Sequence, residues 1–259
     1  MKVVILCGGY GTRIREVNEN IPKPMIPIGR YPILWHIMKT YAIHGHQDFI
    51  LCLGYKGQVI KDFFLNYEAM TTDFTITLGD RSGVDFHTEH GEANWRVTLA
   101  ETGLDSMTGA RLWRFRKYLD ANEPFMLTYG DGVSDVDVEK LIAFHQSHGK
   151  AVTVTGVRPP GRFGELASEQ GLVTEFNEKP QATGGRISGG YFVMSPKVFD
   201  YLEEREDLIL EKEPMDRLVR AGELMIYEHD GFWQAMDTSR EYKLLNQLYE
   251  SDNPPWVKW

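Results

Sequence analysis

The sequence predicts an α/β fold in which helices flank a mostly parallel sheet, with a mixed α+β carboxyl-terminal portion. Three observations predict it: strand–helix units repeat in the first half, glycine-rich turns follow the apolar strands, and short alternating strands dominate the second half. Two successive strand–helix–strand units imply parallel strands, because the intervening helix carries the chain back to the same edge of the sheet.

The first strand–helix unit occupies the amino terminus. Residues 2–7 are a short, β-branched run that ends in glycines, which is typical of a buried strand followed by a turn. From about residue 31 to residue 44, apolar side chains recur at helical spacing. They are Ile33, Leu34, Ile37, Met38 and Tyr41.

Two more units follow. Residues 49–53 form an apolar run before Gly54, and residues 125–128 form another before Tyr129. A helical face follows each run, and we expect both runs to add parallel strands. The first face consists of Val59, Ile60, Phe63, Phe64 and Tyr67, and the second of Val138, Leu141, Ile142 and His145.

Shorter segments alternate between apolar and polar residues, as extended strands do. They are residues 74–78, 84–89, 95–100, 172–176, 190–194 and 224–228. No Pro-rich or Ser-rich linker separates the two halves. We therefore expect a single domain over residues 1–259.

The composition narrows the class of protein. The 28 Lys+Arg against 37 Asp+Glu give a net charge of −9, and there is no arginine-rich face, so nucleic acid is a poor ligand. No apolar run approaches the roughly 20 residues of a membrane span, and no signal-peptide pattern precedes the first glycines. We expect a cytoplasmic protein that does not bind a membrane. Cys7 and Cys52 lie in apolar strands, where we expect buried free thiols.

A glycine loop with an arginine, residues 8–13, follows the first strand, where backbone amides and a cation can meet a phosphate. It is not a dinucleotide-binding motif, because Ile14 stands at the third glycine position, nor a P-loop. Downstream, Pro22 and Pro24 flank Lys23 and stiffen the chain, which suits a preorganised ammonium. A rigid surface loop with an incidental lysine is the competing interpretation.

Three carboxylates complete the set of candidate charges. Asp131, between two glycines after a strand, can ligate a hard cation or simply form a turn. Asp237 lies in an apolar segment and is either a partly buried carboxylate with a partner or the N-cap of a helix. Glu178 and Lys179 precede Pro180 at a strand end, which taken alone is an ordinary turn.

In their order along the chain, these motifs resemble the sugar-1-phosphate nucleotidyltransferases. The resemblance spans nearly the whole chain and is carried by residues 6–13, 22–25, 130–132, 178–180 and 236–238. Within that family, four segments look like the glucose-1-phosphate cytidylyltransferases: residues 32–38, 106–112, 160–164 and 231–234. The resemblance implies a Rossmann-like sheet of the nucleotide-diphospho-sugar transferase type.

The resemblance also implies a site. Asp131 and Asp237 would bind Mg²⁺, and together with Arg13 and Lys23 they would be the catalytic residues. The implied nucleotide-binding residues are Leu6, Cys7, Gly8, Gly9, Tyr10, Gly11, Thr12, Arg13, Lys23, Ser106, Thr108, Gly109, Arg111 and Gly130. The implied sugar-phosphate-binding residues are Gly164, Glu178, Lys179, Ser188, Gly189, Gly190 and Tyr191.

The implied reaction is cytidylyl transfer from CTP to a sugar 1-phosphate, α-D-glucose 1-phosphate by the resemblance, with release of pyrophosphate. A phosphate monoester has a second pKa of about 6, so its oxygen is anionic at neutral pH and needs no general base. Three alternatives stay open: another nucleotide (UTP, dTTP or GTP), another sugar, since Ser188 replaces an expected asparagine, and a catalytically inactive regulatory subunit.

The resemblance further implies a homo-oligomer and a division of the single domain. Residues of about 1–135 would bind the nucleotide, and residues of about 136–240 would bind the sugar phosphate and complete the metal site. Residues 241–259 would form a carboxyl-terminal tail.

Overall fold

The structure is a computed structural model of the 259-residue chain. It describes residues 1–14, 16–17, 19–79, 83–159, 165–169, 172–177 and 185–259, with only the backbone for 165–169 and 172–177. Its strands are β1 (Val3–Leu6), β2 (Pro27–Ile28), β3 (Tyr31–Pro32), β4 (Asp48–Leu53), β5 (Phe74–Ile76), β6 (Val84–Phe86), β7 (Arg96–Glu101), β8 (Phe125–Tyr129), β9 (Gly132–Ser134), β10 (Val152–Val157), β11 (Glu165–Glu169), β12 (Leu172–Asn177), β13 (Ile187–Met194), β14 (Leu224–His229) and β15 (Trp233–Ala235).

The α-helices of the same ranges are shorter than a membrane span. None of them combines the length and the apolar character that crossing a bilayer requires. They are α1 (Ile33–Ala42), α2 (Gly57–Leu65), α3 (Tyr67–Thr71), α4 (Thr108–Phe115), α5 (Val138–His148), α6 (Glu213–Arg220) and α7 (Ser239–Tyr249).

Seven of the described strands form one sheet in the order β14–β10–β13–β8–β1–β4–β7. β1 pairs in parallel with β4 and β8, β4 pairs in parallel with β7, and β10 pairs in parallel with β14. Only β13 runs antiparallel to its neighbours β8 and β10 within this sheet. The predicted mostly parallel sheet is confirmed, and strands of the second half extend it.

The side chains of a strand alternate between the two faces of the sheet. Because apolar side chains of β1 point to both faces, helices pack on both. Val3 and Ile5 of β1 lie in one core with the buried face of α1. Val4 and Leu6 lie in the other core with Leu112 of α4. A strand buried on both faces reads as a continuous apolar run, which is why residues 2–7 predicted β1 correctly.

Two details differ from the sequence pattern. The apolar face through residues 59–67 belongs to two helices, because the Asn66 backbone leaves the helical region (φ −106°, ψ 12°). The Asn66 backbone N–H donates to the Asp62 carbonyl at 3.1 Å, and its side-chain amide donates to the same oxygen at 2.8 Å, so the first helix ends here. The segment 95–100, predicted only as an extended strand, overlaps β7 (Arg96–Glu101), which lies at the edge of the main sheet. Cys7 and Cys52 are buried free thiols, as predicted.

The strand order creates a crevice at the carboxyl end of β1. The chain continues from β1 to β4 and β7 on one side and then returns to β8 on the other side of β1. In open α/β sheets, ligands bind beyond the carboxyl ends of the strands at such a reversal. Leu6 and Tyr129, which pair at the ends of β1 and β8, mark this position.

Candidate active site

A cavity of about 370 Å³ opens at this reversal, beyond the ends of β1 and β8. Its wall combines the glycine loop, the turn at Lys23, the start of α4, the turn after β8 and Asp237, which directly precedes the N-cap of α7. Most of the nucleotide-binding and catalytic residues that the sequence predicted line it: Leu6, Cys7, Gly8, Gly9, Tyr10, Gly11, Thr12, Arg13, Lys23, Ser106, Thr108, Arg111, Gly130, Asp131 and Asp237.

Lys23 lies between the two aspartates. Its Nζ is 2.5 Å from Asp131 Oδ2 and 2.5 Å from Asp237 Oδ1, and its side chain is 11% exposed. Burial lowers the pKa of the Lys23 ammonium, but the two carboxylates outweigh burial and leave the pKa raised above its usual value. On the exposed side of this cluster, Arg13 Nη2 lies 3.1 Å from Asp237 Oδ1. Among the described residues, Lys23 and Arg13 therefore both bring positive charge to the carboxylates that line the cavity.

The prolines around Lys23 build the turn that holds it. Pro22 is extended (φ −71°, ψ 153°), and Pro24 lies within the short 3₁₀ helix Lys23–Met25. The Ile26 N–H donates to the Lys23 carbonyl and closes this turn. The stiffening that the sequence predicted is present, and the interpretation of Lys23 as an incidental surface lysine is wrong.

Short strands bring the two aspartates together. β9 pairs with β15 so that Gly132 faces Ala235, and the Met236 N–H donates to the Asp131 carbonyl at 2.8 Å. The N-cap of α7 is Thr238, whose side chain and backbone form a capping box with Glu241. Asp237 is therefore not the N-cap, and its carboxylate pairs with Lys23 instead.

Gly130 is required where β1, β8 and the Lys23 turn meet. Its N–H donates to the Leu6 carbonyl at 3.1 Å. A Cβ at this position would lie 3.0 Å from both the Leu6 carbonyl oxygen and Pro24 Cγ. A side chain at this position would force the Leu6 carbonyl or Pro24 to shift by a few tenths of an ångström, so it would disturb the turn that carries Asp131.

The donor set of the aspartates fits a divalent cation that arrives with a phosphate ligand. Mg²⁺ prefers oxygen ligands and is commonly held by one or two carboxylates together with substrate phosphates and waters. Over the described ranges, no group of three or more His, Cys, Asp or Glu side chains is placed to hold a metal. Asp131 and Asp237 would therefore need phosphate oxygens to complete a coordination shell.

The hydroxyl groups predicted to face a base already have protein partners. Thr108 Oγ1 donates to Glu211 Oε2 at 2.6 Å and accepts from the Leu210 N–H. Ser106 Oγ accepts from Arg114 Nη1. These bonds hold both hydroxyls in fixed positions at the cavity wall.

Gly109 differs from its expected position, because it does not line this cavity. Its N–H donates to the Leu208 carbonyl at 2.9 Å, and a Cβ there would lie 2.8 Å from Leu208 Cγ. The missing side chain of Gly109 therefore permits a close approach of Leu208, not of a base.

The predicted sugar-phosphate residues fall into two groups. Gly164, Glu178 and Lys179 lie outside the described residues. The other four belong to β13: Ser188, Gly189, Gly190 and Tyr191.

Gly190 and Tyr191 support the cavity wall from β13. Gly190 has φ +77°, and a Cβ there would lie 2.5 Å from Tyr129 Cδ2, so Tyr129 packs directly on this glycine. Tyr191 is buried, and its hydroxyl donates to the Gly132 carbonyl at 3.0 Å. The Tyr191 side chain therefore holds the turn beside Asp131 and, contrary to expectation, does not face a sugar.

Ser188 and Gly189 make local contacts. Ser188 is exposed and accepts from the Gly190 N–H at 3.3 Å. The Gly189 carbonyl accepts from Trp233 Nε1 at 2.7 Å, which ties β13 to β15.

Sequence reasoning missed Tyr129 and Glu211. Tyr129 lines the cavity and donates its hydroxyl to Glu211, the same carboxylate that binds Thr108. Burial raises the pKa of Tyr129, and the Glu211 charge raises it further, so the phenol stays protonated. The position of Tyr129 directly before Gly130 could have indicated it, whereas no motif surrounds Glu211.

The chain matches the family described as "Nucleotidyl transferase" over residues 2–238. Over 259 residues it is 48% identical to the glucose-1-phosphate cytidylyltransferase of Salmonella typhi and 44% identical to the probable glucose-1-phosphate cytidylyltransferase of Bacillus subtilis (strain 168). Both alignments cover 100% of each chain.

Solved structures share the fold. HddC from Yersinia pseudotuberculosis superposes with a TM-score of 0.68 at 23% identity, covering 96% of this chain and 99% of that one. A UDP-glucose pyrophosphorylase complexed with UDP-glucose superposes with a TM-score of 0.67 at 15% identity, covering 96% and 97%. The fold that the sequence predicted is confirmed.

Proposed function

The chain belongs to the nucleotidyl transferase family, and on that premise we propose that it transfers a cytidylyl group from CTP to glucose 1-phosphate, giving CDP-glucose and pyrophosphate. The observation that carries the proposal is the Lys23–Asp131–Asp237 cluster beside a glycine loop in one cavity. The full-length similarity to glucose-1-phosphate cytidylyltransferases supports the choice of base and sugar.

In the proposed reaction, a phosphate oxygen of the sugar 1-phosphate attacks the α-phosphorus of CTP. A new bond forms between this oxygen and the α-phosphorus. The bond between the α-phosphorus and the oxygen that bridges to the β-phosphate breaks, and pyrophosphate leaves with the electron pair. No proton has to be removed from the nucleophile at neutral pH. The protein must therefore position two polyanions and neutralise their charge.

The residues of the cavity suit that task. The backbone N–H groups of residues 9–11 have no acceptor among the described residues, so they can donate to phosphate oxygens. Lys23 and Arg13 add positive charge beside the aspartates. We assign Asp131 and Asp237 as ligands of Mg²⁺, which when bound supplies further neutralisation of the phosphates.

The remaining assignments come from the family resemblance. The sugar 1-phosphate would bind on the side of β13, where Ser188 and the backbone of Gly189 and Gly190 lie, with Glu178 and Lys179 from outside the described ranges. The division at about residues 135 and 240, the homo-oligomeric state and the cytoplasmic location stay predictions.

Pyrophosphate release from a matrix of nucleotides and sugars tests the proposal. CTP, UTP, dTTP and GTP would each be combined with the 1-phosphates of glucose, mannose and galactose, with Mg²⁺ present and then chelated. Cytosine and uracil reverse the donors and acceptors at N3 and position 4, and each mispaired buried group costs about 1–3 kcal/mol. We expect CTP to exceed UTP in kcat/KM by roughly ten- to a few hundred-fold with glucose 1-phosphate.

Equal turnover of CTP and UTP would contradict the cytidylyl assignment and leave only the family. Tight nucleotide-sugar binding without turnover of any pair would favour the regulatory-subunit alternative.

A further inference from the structure

The segment before α6, residues 206–212, packs on the amino-terminal end of α4. The Leu208 carbonyl accepts from two N–H groups in the first turn of α4, at 2.9 and 3.2 Å. The first N–H groups of an α-helix have no partner within the helix, so these bonds satisfy them from outside. Ser106 and Thr108 lie at the same end of α4 and line the cavity, so the segment packs directly beside two predicted ligand contacts.

The Thr108 hydroxyl has only one hydrogen-bonding site left for a ligand. A threonine hydroxyl has one hydrogen to donate and two lone pairs that accept. Its hydrogen is donated to Glu211 Oε2 at 2.6 Å, and one lone pair accepts from the Leu210 N–H at 2.9 Å. Because a carboxylate can only accept, Glu211 keeps the hydroxyl from reversing. A ligand group that meets the remaining lone pair must be a hydrogen-bond donor.

The Ser106 hydroxyl is held in the opposite sense. Its oxygen accepts from Arg114 Nη1, and a guanidinium nitrogen can only donate. Arg114 is itself held, because Nη1 also donates to the Thr102 carbonyl at 2.9 Å. The Ser106 side chain is buried, and its hydroxyl hydrogen has no acceptor within the described ranges. This hydrogen is free for an acceptor on a ligand, while the charge of Arg114 disfavours a ligand donor at the same oxygen.

Cytosine carries the complementary pair of groups on its pairing edge. Its 4-amino group donates and its N3 accepts, whereas uracil has an accepting carbonyl at position 4 and a donating N3–H. An accepting Thr108 and a donating Ser106 therefore fit cytosine and oppose uracil at both positions. A free hydroxyl can rotate to donate or to accept, so neither side chain has this preference by itself. Glu211 and Arg114 impose it.

We propose that Glu211 and Arg114 are positioning residues for the choice of base: they orient the hydroxyls of Thr108 and Ser106 so that the first accepts from the 4-amino group of cytosine and the second donates to its N3. The inference deepens the proposed function and rests on it, because it requires a cytidine nucleotide in this cavity. It assigns base selection to two charged side chains that do not themselves line the cavity.

Calorimetric titration of CTP and UTP into the parent protein and Glu211→Ala tests the Thr108 half. Without the carboxylate, the Thr108 hydroxyl can rotate and donate to the uracil carbonyl, so we expect the CTP-to-UTP affinity ratio to fall roughly tenfold. Thr108→Val should also lower the ratio, and Glu211→Ala should not change it further in that background. Glu204→Ala is the matched control, since Glu204 is exposed in the same region and does not line the cavity.

The analogue 3-deaza-CTP, which has carbon in place of N3, tests the Ser106 half. The parent protein should bind CTP more tightly than 3-deaza-CTP. Arg114→Ala should remove most of that difference, because the Ser106 hydrogen is no longer directed to N3, and Arg114→Lys, which still donates, should restore part of it. Arg116→Ala is the control, since Arg116 is exposed just beyond α4 and donates to the Trp113 carbonyl.

Two results would overturn the inference. Affinities for CTP and UTP that fall by one shared factor in Glu211→Ala would mean that Glu211 only supports the cavity wall. An undiminished preference for CTP over 3-deaza-CTP in Arg114→Ala would contradict the role of Arg114. Circular dichroism and thermal melting verify that the variants are folded. Glu211→Gln provides a second variant of the same size, whose amide can donate to Thr108 and so also releases the hydroxyl hydrogen.

The proposed function fails separately from this inference. If the parent protein prefers CTP in binding but releases no pyrophosphate with glucose 1-phosphate, the transferase proposal is wrong, while the affinity ratios still test Glu211 and Arg114. If it turns over CTP and glucose 1-phosphate but the ratios are the same in all variants, only the inference is wrong.

Discussion

Lys23 determines the charge balance of the cavity, because its ammonium lies 2.5 Å from a carboxylate oxygen of both Asp131 and Asp237. We predict that Lys23→Ala lowers kcat at least about 100-fold, since it removes a preorganised cation from the transferred phosphate. The same change leaves two adjacent carboxylates without their shared ammonium. Mg²⁺ without nucleotide should therefore raise the Tm of Lys23→Ala more than that of the parent protein.

A thermal melt with and without Mg²⁺ checks this prediction. Lys140→Ala is the matched control, because Lys140 pairs with Asp137 on an exposed surface of α5. Full activity of Lys23→Ala, or an identical Mg²⁺ shift in all three proteins, would contradict it.

A second prediction concerns the two aspartates, Asp131 and Asp237. Asp131→Asn and Asp237→Asn keep the size of each side chain but remove one charge, and each should lower kcat by several powers of ten with a smaller effect on KM for glucose 1-phosphate. Asp85→Asn, on the exposed β5–β6 hairpin, should leave both constants unchanged. Steady-state kinetics at saturating Mg²⁺ provide the measurement, and parent-like turnover by Asp237→Asn would refute the metal assignment.

Helix α7 positions Asp237 through its first turn. Glu241 Oε2 accepts from the Thr238 N–H and from Thr238 Oγ1, both at 2.7 Å, directly after Asp237. We predict that Glu241→Ala costs about 1 kcal/mol of unfolding free energy, as the loss of a cap usually does, and also lowers kcat. The reason for the kinetic loss is that the freed first turn no longer fixes the Asp237 backbone.

The N-cap of α5 provides a control that distinguishes a loss of stability from a loss of Asp237 positioning. Asp137 caps α5 by accepting from the Lys140 N–H at 3.1 Å, and it does not line the cavity. Asp137→Ala should cost similar stability by urea denaturation and leave kcat unchanged. If both variants lose kcat equally, the effect comes from general destabilisation, and the positioning role of α7 is wrong.

The sequence predicts well those elements whose residues face an apolar environment on a regular period. β1, β4, β8 and the buried face of α1 follow from such runs, because burial on the sheet dictates their composition. β9 and β15 have three residues each and carry no period of their own. Their pairing, which brings Asp131 to Asp237, is a tertiary contact that only the family resemblance anticipated.

The same distinction applies to the site. The glycine loop and Lys23 could be found because glycine and proline carry conformational information in the sequence. The inward role of Tyr191 and the Leu208 contact of Gly109 could not, since each depends on which distant segment packs there. Glu211 is exposed, and no motif surrounds it in the sequence. Only its hydrogen bonds to Tyr129 and Thr108 identify it.

The carboxyl-terminal segment packs against the first α-helix, although the two are far apart in the sequence. Trp256 is buried in the same core as α1, and its Nε1 donates to His36 Nδ1 at 3.4 Å. His36 Nε2 in turn lies 3.0 Å from the Ile28 carbonyl, to which it donates. Both ring nitrogens are therefore used by the neutral imidazole, and a second proton on Nδ1 would oppose the indole N–H.

This arrangement predicts how the stability of the molecule depends on pH. Burial lowers the pKa of His36 to about 4, whereas an unfolded chain has the ordinary value of 6.5. Between these values the unfolded state binds a proton that the folded state does not, so the unfolding free energy falls as pH falls. At pH 5 the unfolding free energy is therefore lower by about 2 kcal/mol than at pH 7.5.

His36→Gln tests this dependence. The glutamine can keep both hydrogen bonds without titrating, so the variant should not show this decrease of about 2 kcal/mol in unfolding free energy. Urea denaturation at the two pH values, followed by tryptophan fluorescence, measures the difference, with the exposed His87→Gln as control. Equal losses in His36→Gln and the parent protein would show that His36 does not control the acid response.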